Sequence, residues 1–104
     1  MSAKLVYFVP EEALEATRDA CFDAGAGRIG NYERCSWYAL GTGTFLAGEG
    51  AEPAVGGVGE EEQVPEYRVE LVVPDDRVAA VVAALRQAHP YEEPAFDVYP
   101  LLEA

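Results

Sequence analysis

The chain has few of the residue types that most often build reactive centres and metal sites. Among its 104 residues are one histidine, His89, and two cysteines, Cys21 and Cys35. Two isolated cysteines do not make a disulfide framework, and their usual role is that of buried thiols in a cytoplasmic protein. Because no second histidine or cysteine lies at ligand spacing, one chain is not expected to build a complete metal site.

Basic residues and long apolar runs are also scarce. Seven Lys and Arg stand against nineteen Asp and Glu, which gives a net charge of −12. Phosphate backbones and anionic lipid headgroups repel such a surface, so nucleic-acid and membrane-surface binding are excluded. The apolar run Leu5–Val9 is too short for a signal peptide, and no run approaches the ~20 residues that span a bilayer. We therefore expect a cytoplasmic protein with neither partner.

What the chain does contain is the composition of one globular domain over residues 1–104. Hydrophobic residues make up 50% and charged residues 25%, which are average values for such domains. Hydrophobic periodicity predicts strands at 4–9, 33–40, 64–73 and 95–100, and helices between Pro10 and Gly25 and between an Asp75 N-cap and Pro90. The order β α β β α β predicts an α+β, ferredoxin-like fold. Its antiparallel four-stranded sheet carries two helices on one face.

The other face of such a sheet needs either polar side chains or a partner. The predicted strands are instead rich in aromatic residues, which are Tyr7, Trp37, Tyr38, Tyr67 and Tyr99. Aromatic side chains are enriched in the buried centres of protein interfaces. We therefore predict that some of them face a neighbouring subunit and that the chain forms a homo-oligomer.

Residues 47–63 form a predicted loop rich in glycine and glutamate, with few large apolar side chains. A loop of this length inside a compact domain is usually functional, mobile or part of an oligomer contact. The composition favours mobility or subunit packing over ligand binding. The acidic run Glu60–Glu62 is expected to be solvated, with cation binding as the alternative.

The main candidate site lies between the second helix and the last strand, at His89, Glu92 and Glu93. One imidazole and two carboxylates are suitable ligands for a divalent cation or a polar molecule. Alternatively, His89 has a structural role in the last helical turn, where its ring can donate to free carbonyl groups. Adjacent residues in an extended segment point to opposite sides, so Glu92 and Glu93 are not expected to act as an acid–base pair.

A second candidate region is the glycine-rich segment Gly25–Gly30. Its spacing is similar to a dinucleotide-binding fingerprint, but that fingerprint opens a helix, whereas this segment ends one. The alternative is a backbone nest that binds an anion, supported by Arg28. Arg28, Asn31 and Tyr32 are therefore secondary site candidates.

Four segments together resemble the insert domain of YqfO-type proteins, which are bacterial members of the dinuclear-metal-centre family. These proteins are also labelled NGG-interacting-factor-like or GTP-cyclohydrolase-like. The matching segments are Gly25–Tyr32, Gly41–Phe45, Gly56–Gly59 and His89–Tyr99. The resemblance covers nearly the whole chain and implies a stand-alone version of that insert domain.

The resemblance implies a fold like those of the divalent-cation-tolerance protein CutA and the P-II signalling proteins, which are trimeric ferredoxin-like modules. A homotrimer is therefore the expected assembly. The resemblance also implies that the two-metal site belongs to the surrounding domain, whose ligands have no counterpart here. The hydrolase activity in the family labels is accordingly not carried over.

The sequence thus predicts a binding or regulatory module for a small ligand or divalent cation, rather than an enzyme. Two alternatives stay open. One is an enzyme with its active site at a subunit interface, built from His89 of one chain and Cys35 of another. The other is a protein-interaction module that acts through loop 47–63.

Overall fold

The fold is a four-stranded antiparallel sheet covered by two helices, in a computed structural model that describes residues 1–53 and 56–103. The sheet order is β2-β3-β1-β4, which confirms the ferredoxin-like prediction. Short 3-10 turns, Glu11–Ala13 and Asp75–Arg77, precede the helices. The strands are β1 Ser2–Val9, β2 Trp37–Leu46, β3 Glu61–Pro74 and β4 Phe96–Pro100, and the helices are α1 Leu14–Asp23 and α2 Val78–Ala88.

Strand β1 lies at the centre of the sheet, between β3 and β4. Its segment Leu5–Val9 carries apolar side chains on both faces of the sheet. Leu5, Tyr7 and Val9 face the helices and are fully buried. Val6 points to the opposite, helix-free face and is still only 2% exposed, because neighbouring strands flank it on both sides.

The core forms where the helix-facing side chains of β1 and β3 meet the apolar stripes of the two helices. Val69, Leu71 and Val73 contribute from β3, in agreement with the predicted alternation. Helix α1 adds mainly Leu14, Cys21 and Phe22, and α2 adds Val81 and Leu85. The helices therefore lie on one face, as the period of 3.6 residues in each apolar stripe predicts.

One hydrogen-bonded pair is enclosed in this core. The Tyr7 hydroxyl donates to Thr17 Oγ1 at 2.9 Å, and the Thr17 hydroxyl donates to the Ala13 carbonyl at 2.8 Å. Burial raises the pKa of Tyr7 well above its usual range. Tyr7 therefore belongs to the core and is not available to a neighbouring subunit.

Strand β2 differs from its predicted range of 33–40, since it begins at Trp37 and ends at Leu46. Residues 41–46, with their two glycines, were predicted as a turn and a short extended piece. They form strand because the long β3 pairs with every one of them. Gly43 fits because the Glu66 carboxylate occupies the space where a Cβ would lie, a close approach of the kind that strand glycines allow.

Strand β3 begins at Glu61, three residues before its predicted start, so the predicted loop 47–63 is shorter at that end. Residues 54 and 55 of that loop lie outside the described residues. Beyond the end of β1, residues 61–66 of β3 pair only with β2. This projecting hairpin, residues 41–46 and 61–66, is named the arm, and it contributes to the long axis of a molecule measuring 46 × 24 × 23 Å.

The starts and ends of the helices follow simple backbone rules, with one correction. Asp75 was predicted to be the N-cap of the second helix. Asp75 instead opens the 3-10 turn, which Pro74 precedes at φ −60°, and Arg77 holds the N-cap position of α2; neither Pro74 nor Arg77 makes a side-chain cap hydrogen bond. The end matches the prediction, because His89 is extended, at φ −80° and ψ 136°, as the residue before a proline should be.

The helix-free face of the sheet retains two exposed aromatic side chains. Trp37 is 58% exposed on the edge strand β2, and Tyr99 is 48% exposed on the edge strand β4. Tyr38 and Tyr67 lie on the helix side and form an edge-to-face pair with ring centroids 5.5 Å apart. Neither of the helices in the described ranges is long and apolar enough to cross a membrane.

Candidate functional site

A pocket of about 500 Å³ opens where β1 stops and the arm continues alone. Strand β1 supplies one wall through Phe8, the arm supplies another, and the segment 91–95 before β4 closes the third side. The loop after β2 lies across the top. The lining residues from the arm and loop are Gly43, Thr44, Phe45, Leu46, Ala47, Gly48, Ala51, Pro53 and Glu66, and those from the last segment are Tyr91, Glu92, Glu93 and Ala95.

The pocket combines apolar walls with acidic groups. Phe8, Phe45, Leu46 and Ala47 are among its apolar lining residues. Phe8 and Phe45 project from the helix-free face because side chains alternate along a strand. Concave sites with apolar walls and a few convergent polar groups are typical of small-ligand sites.

Glu66 is the acidic group most embedded in the wall. Its side chain lies over Gly43 and is half-buried. Desolvation raises the pKa of its carboxyl group, because a partly buried carboxylate loses solvation. Desolvation also raises the pKa of Tyr91, and the nearby charges of Glu66 and Glu12 raise it further.

Glu92 and Glu93, two of the three predicted site residues, both line the pocket from exposed positions. Glu92 also connects two of its walls, because its Oε1 accepts a hydrogen bond from the backbone N–H of Glu52 at 3.2 Å. The loop after β2 is therefore held against the segment that precedes β4. A ligand in the pocket would touch both.

His89 does not line the pocket and has a structural environment. The Tyr91 N–H donates to Nδ1 at 3.2 Å, so Nε2 carries the proton and donates to the Phe8 carbonyl at 2.6 Å. Desolvation lowers the pKa of the imidazole, partly opposed by the hydrogen bond to Phe8. Both ring nitrogens are thus used in holding the 89–91 turn against the end of β1.

The secondary candidates Arg28, Asn31 and Tyr32 lie in a separate, exposed turn. Ile29 and Tyr32 exchange backbone hydrogen bonds of 3.0 and 2.9 Å, with Gly30 at φ +58° as the first central residue of the turn. This turn precedes the start of β2, whereas the pocket lies at its other end, roughly 30 Å away along the strand. The structure therefore does not bring the two groups of candidates together.

The two cysteines are free thiols in different surroundings. Cys21 is buried in the core, and desolvation raises its pKa to about 12. Cys35 is only half-buried, so the prediction of two buried thiols is wrong for it. Within one chain Cys35 does not meet His89, whose ring nitrogens bond to Phe8 and Tyr91.

In residues 1–53 and 56–103, no group of three or more His, Cys, Asp or Glu side chains comes together to hold a metal ion. The carboxylates of the pocket are spread around its walls, on the arm and on the segment before β4. The arrangement suits contacts with different parts of one molecule better than the chelation of one ion.

Two pocket features, Glu66 and the aromatic walls, were absent from the sequence-based candidates. The alternation along residues 64–73 puts Glu66 with Arg68 and Glu70 on the face opposite the apolar one, and Phe8 belongs to the apolar run Leu5–Val9. One available indication was the pair Gly41 and Gly43 beside an aromatic residue, because glycine inside a strand often marks a close approach by another group.

Comparison with known proteins shows that the chain is similar to one part of longer proteins. No protein-family model matches the chain. A GTP cyclohydrolase 1 type 2 homolog from Mycobacterium tuberculosis is 58% identical over 99 residues, which are 95% of this chain and 26% of the relative. The homolog from Bacillus subtilis is 46% identical over 98 residues, with the same 26% share.

A solved structure matches the same part of a longer protein. The Bacillus cereus protein related to NIF3 superposes with a TM-score of 0.84 and 46% identity, over 96% of this chain and 25% of that one. The chain therefore corresponds to the insert domain of the YqfO-type family. It spans about a quarter of the length of the relatives it matches.

More distant structures show where the insert domain's fold recurs. CutA from Archaeoglobus fulgidus superposes with a TM-score of 0.74 at 16% identity, over 100% of this chain and 87% of that one. The Bacillus subtilis GlnK–ATP complex has a TM-score of 0.63 at 13% identity, over 97% and 83% of the two chains. At these identities the similarity extends to the fold alone.

Proposed function

We propose that this insert domain is an oligomeric small-ligand-binding module with a regulatory or accessory role. The pocket described above is its binding site. The observation that carries this proposal is a concavity of about 500 Å³ with aromatic and aliphatic walls and three carboxylates, Glu66, Glu92 and Glu93. That volume lies in the range typical of small-molecule sites.

The regulatory part of the proposal rests on the hydrogen bond between the Glu52 N–H and Glu92. This bond connects the exposed loop to the segment before β4. A ligand that enters between them would change how the loop is held and therefore what surface the loop presents. A ligand can shift such an equilibrium only by its differential affinity for the two arrangements.

The names of the structural neighbours suggest two ligands, which the pocket chemistry does not favour equally. GlnK is in complex with ATP in one of them. Three carboxylates and a net charge of −12 would repel a polyphosphate here. CutA is named for divalent cation tolerance, and a divalent cation stays an alternative ligand. Such an ion would have to draw the dispersed carboxylates together, and His89, the third predicted ligand, does not line the pocket.

The oligomeric part of the proposal rests on the helix-free face. Trp37 and Tyr99 are exposed at its two edges, with Val6 and Val72 between them. Large aromatic residues on such a face favour a protein partner. We propose a homotrimer in which these faces meet, located in the cytoplasm.

A fragment screen by ¹H–¹⁵N NMR tests the binding function. The fragment set contains cationic, neutral and anionic aromatic compounds. We expect at least one class to give saturable shifts confined to residues around the pocket. Ala51→Phe should fill the pocket and abolish the shifts, whereas Ala80→Phe, an exposed change on α2, should retain them. If no class shifts the pocket residues, the function assigned to the pocket is wrong.

A further inference from the structure

We propose that the pocket selects an organic ammonium cation with an apolar, preferably aromatic, body. This inference rests on the proposed function, because it names the ligand class of the same pocket. Three features of the pocket support it: its charge, its aromatic walls and the position of Glu66.

The charge of the pocket lining has one sign. Glu66, Glu92 and Glu93 line it, and none of the lining residues is Lys, Arg or His. The nearest guanidinium along β3 is already engaged, because Arg68 Nε pairs with Glu70 at 3.0 Å. Within the described ranges, the Glu66 carboxylate has no Lys, Arg or His partner within 4.0 Å. A cationic ligand would provide that partner.

The aromatic walls favour an organic cation over a hydrated metal ion. Phe45 and Tyr91 line the same cavity, and the faces of aromatic rings attract ammonium groups. The third ring, that of Phe8, already has the Arg68 guanidinium over it, 5.6 Å from the ring centroid. Leu46 and Pro53 supply further apolar surface for the body of the ligand. Mg²⁺ and Ca²⁺ require several oxygen ligands around one point, and the carboxylates here are dispersed.

The half-buried position of Glu66 makes it the residue that determines ligand charge. Its carboxylate is held in the wall over Gly43, whereas Glu92 and Glu93 are exposed. An ion pair formed at a partly desolvated group is stronger than one in open solvent. Glu66 should therefore account for most of the discrimination between charged and neutral ligands.

A matched series of three probes separates the ligand class from the existence of the site. The probes are phenethylamine, 2-phenylethanol and 3-phenylpropionate, which carry a positive charge, no charge and a negative charge on similar bodies. NMR titration should give an affinity for phenethylamine that is about tenfold higher than for 2-phenylethanol, which corresponds to one effective ion pair. The affinity for 3-phenylpropionate should be lower than for either.

Glu66→Gln is the test variant, and Glu61→Gln is its control. Glu61 is an exposed residue of the same strand that does not line the pocket, so its replacement removes the same charge from the chain. Glu66→Gln should reduce the affinity for phenethylamine by about tenfold and leave that for 2-phenylethanol within about twofold. Glu61→Gln should change neither by more than about twofold.

Three outcomes would overturn the assignment. If 2-phenylethanol or 3-phenylpropionate binds the pocket as tightly as phenethylamine, the ligand class is wrong although the binding site stands. If Mg²⁺ or Mn²⁺ alone perturbs Glu66, Glu92 and Glu93 together and competes with phenethylamine, the site takes a metal ion instead. If none of the probes perturbs the pocket residues, both the ligand class and the proposed function fail.

Discussion

His89 shows how a single side chain can organise a site without entering it. Its two ring nitrogens connect the end of β1, through the Phe8 carbonyl, to the N–H of Tyr91. Phe8 and Tyr91 both line the pocket. The structural alternative predicted from the sequence had the ring donate to free carbonyls in the last helical turn; the ring instead donates to Phe8 in β1, from a residue that follows the helix.

The ionisation of His89 leads to a prediction about pH. Burial lowers its pKa in the folded state below the ordinary value of 6.5, so the unfolded state binds more protons below that pH. The free energy of unfolding should then fall as the pH is lowered from 6.5 towards the folded-state pKa, by at most about 1.4 kcal/mol per pH unit. Urea unfolding at about pH 7.5 and about pH 5.5 measures this loss.

The control for this prediction is His89→Gln, whose amide can still donate to the Phe8 carbonyl but does not titrate. The variant should lose less stability than the wild type between the two pH values. Glu66 acts in the opposite direction, because its raised folded-state pKa makes the folded state bind protons more readily as the pH falls. Comparison in a Glu66→Gln background removes that contribution, and parallel pH profiles there would contradict the role of His89.

At the scale of elements, the connection after α1 depends on a glycine packed against an aromatic ring. Gly27 has φ +82°, and its N–H donates to the Val72 carbonyl at 2.8 Å. Phe22 packs beside it, with Arg34 stacked over the ring at 4.6 Å. In this glycine-rich segment, Gly27 therefore permits close packing against Phe22.

Alanine substitutions at two glycines test this packing. Gly27 and Gly30 both have positive φ, so each substitution should cost about 1–2 kcal/mol in the free energy of unfolding. A Cβ at Gly27 would also lie 2.6 Å from the Phe22 ring, whereas one at Gly30 meets nothing within 4 Å. Urea unfolding should therefore show a further loss of roughly 1–3 kcal/mol for Gly27→Ala alone. Equal losses of unfolding free energy for the two variants would mean that the Phe22 ring moves away from the added Cβ without an energetic cost.

The elements also show which features sequence patterns could predict. The number, type and order of the elements follow from hydrophobic periods in the local sequence, which are clearest in the alternation of β3 and in the apolar stripe of α2. The range of β2 was wrong because its glycines lack the side chains that mark a strand. Only pairing with β3 makes residues 41–46 extended.

At the scale of the whole molecule, the two ends of the described chain lie side by side. The Leu101 N–H donates to the Ser2 carbonyl at 3.0 Å, at the end of the sheet opposite the pocket. This arrangement suits an insert domain, because a host chain can enter and leave at one place. The pocket and the arm then point away from that place.

The helix-free face carries the prediction about assembly. We expect native mass spectrometry to give a homotrimer, and Trp37→Glu or Tyr99→Glu to shift it towards monomer, because a buried unpaired carboxylate is strongly unfavourable. Tyr32→Glu is the control, since Tyr32 is 75% exposed in a turn away from that face. A monomeric wild-type protein, or equal dissociation in the Tyr32 variant, would contradict the proposed interface.

Some residues of the candidate site could be predicted from local sequence, whereas others are brought together only by tertiary contacts. Glu92 and Glu93 were found from their motif, because adjacent residues need no folding to stand together. Glu66 and Phe8 were missed, since their meeting depends on where β1 ends and on the register of β3. The local sequence pattern of a strand predicts neither where β1 ends nor the register of β3.

The sequence by itself determined the class of this protein: one acidic domain, six elements in ferredoxin-like order, and a resemblance to the YqfO-type insert domain. Periodicity, proline and glycine positions and charge are properties of the sequence, so they can be assessed without a structure. Only the tertiary structure decided that His89 supports a turn, that β2 and β3 extend into an arm, and that a pocket with Glu66 in its wall lies beside that arm. These features depend on strand register and on contacts between distant residues, which form only when the whole chain packs.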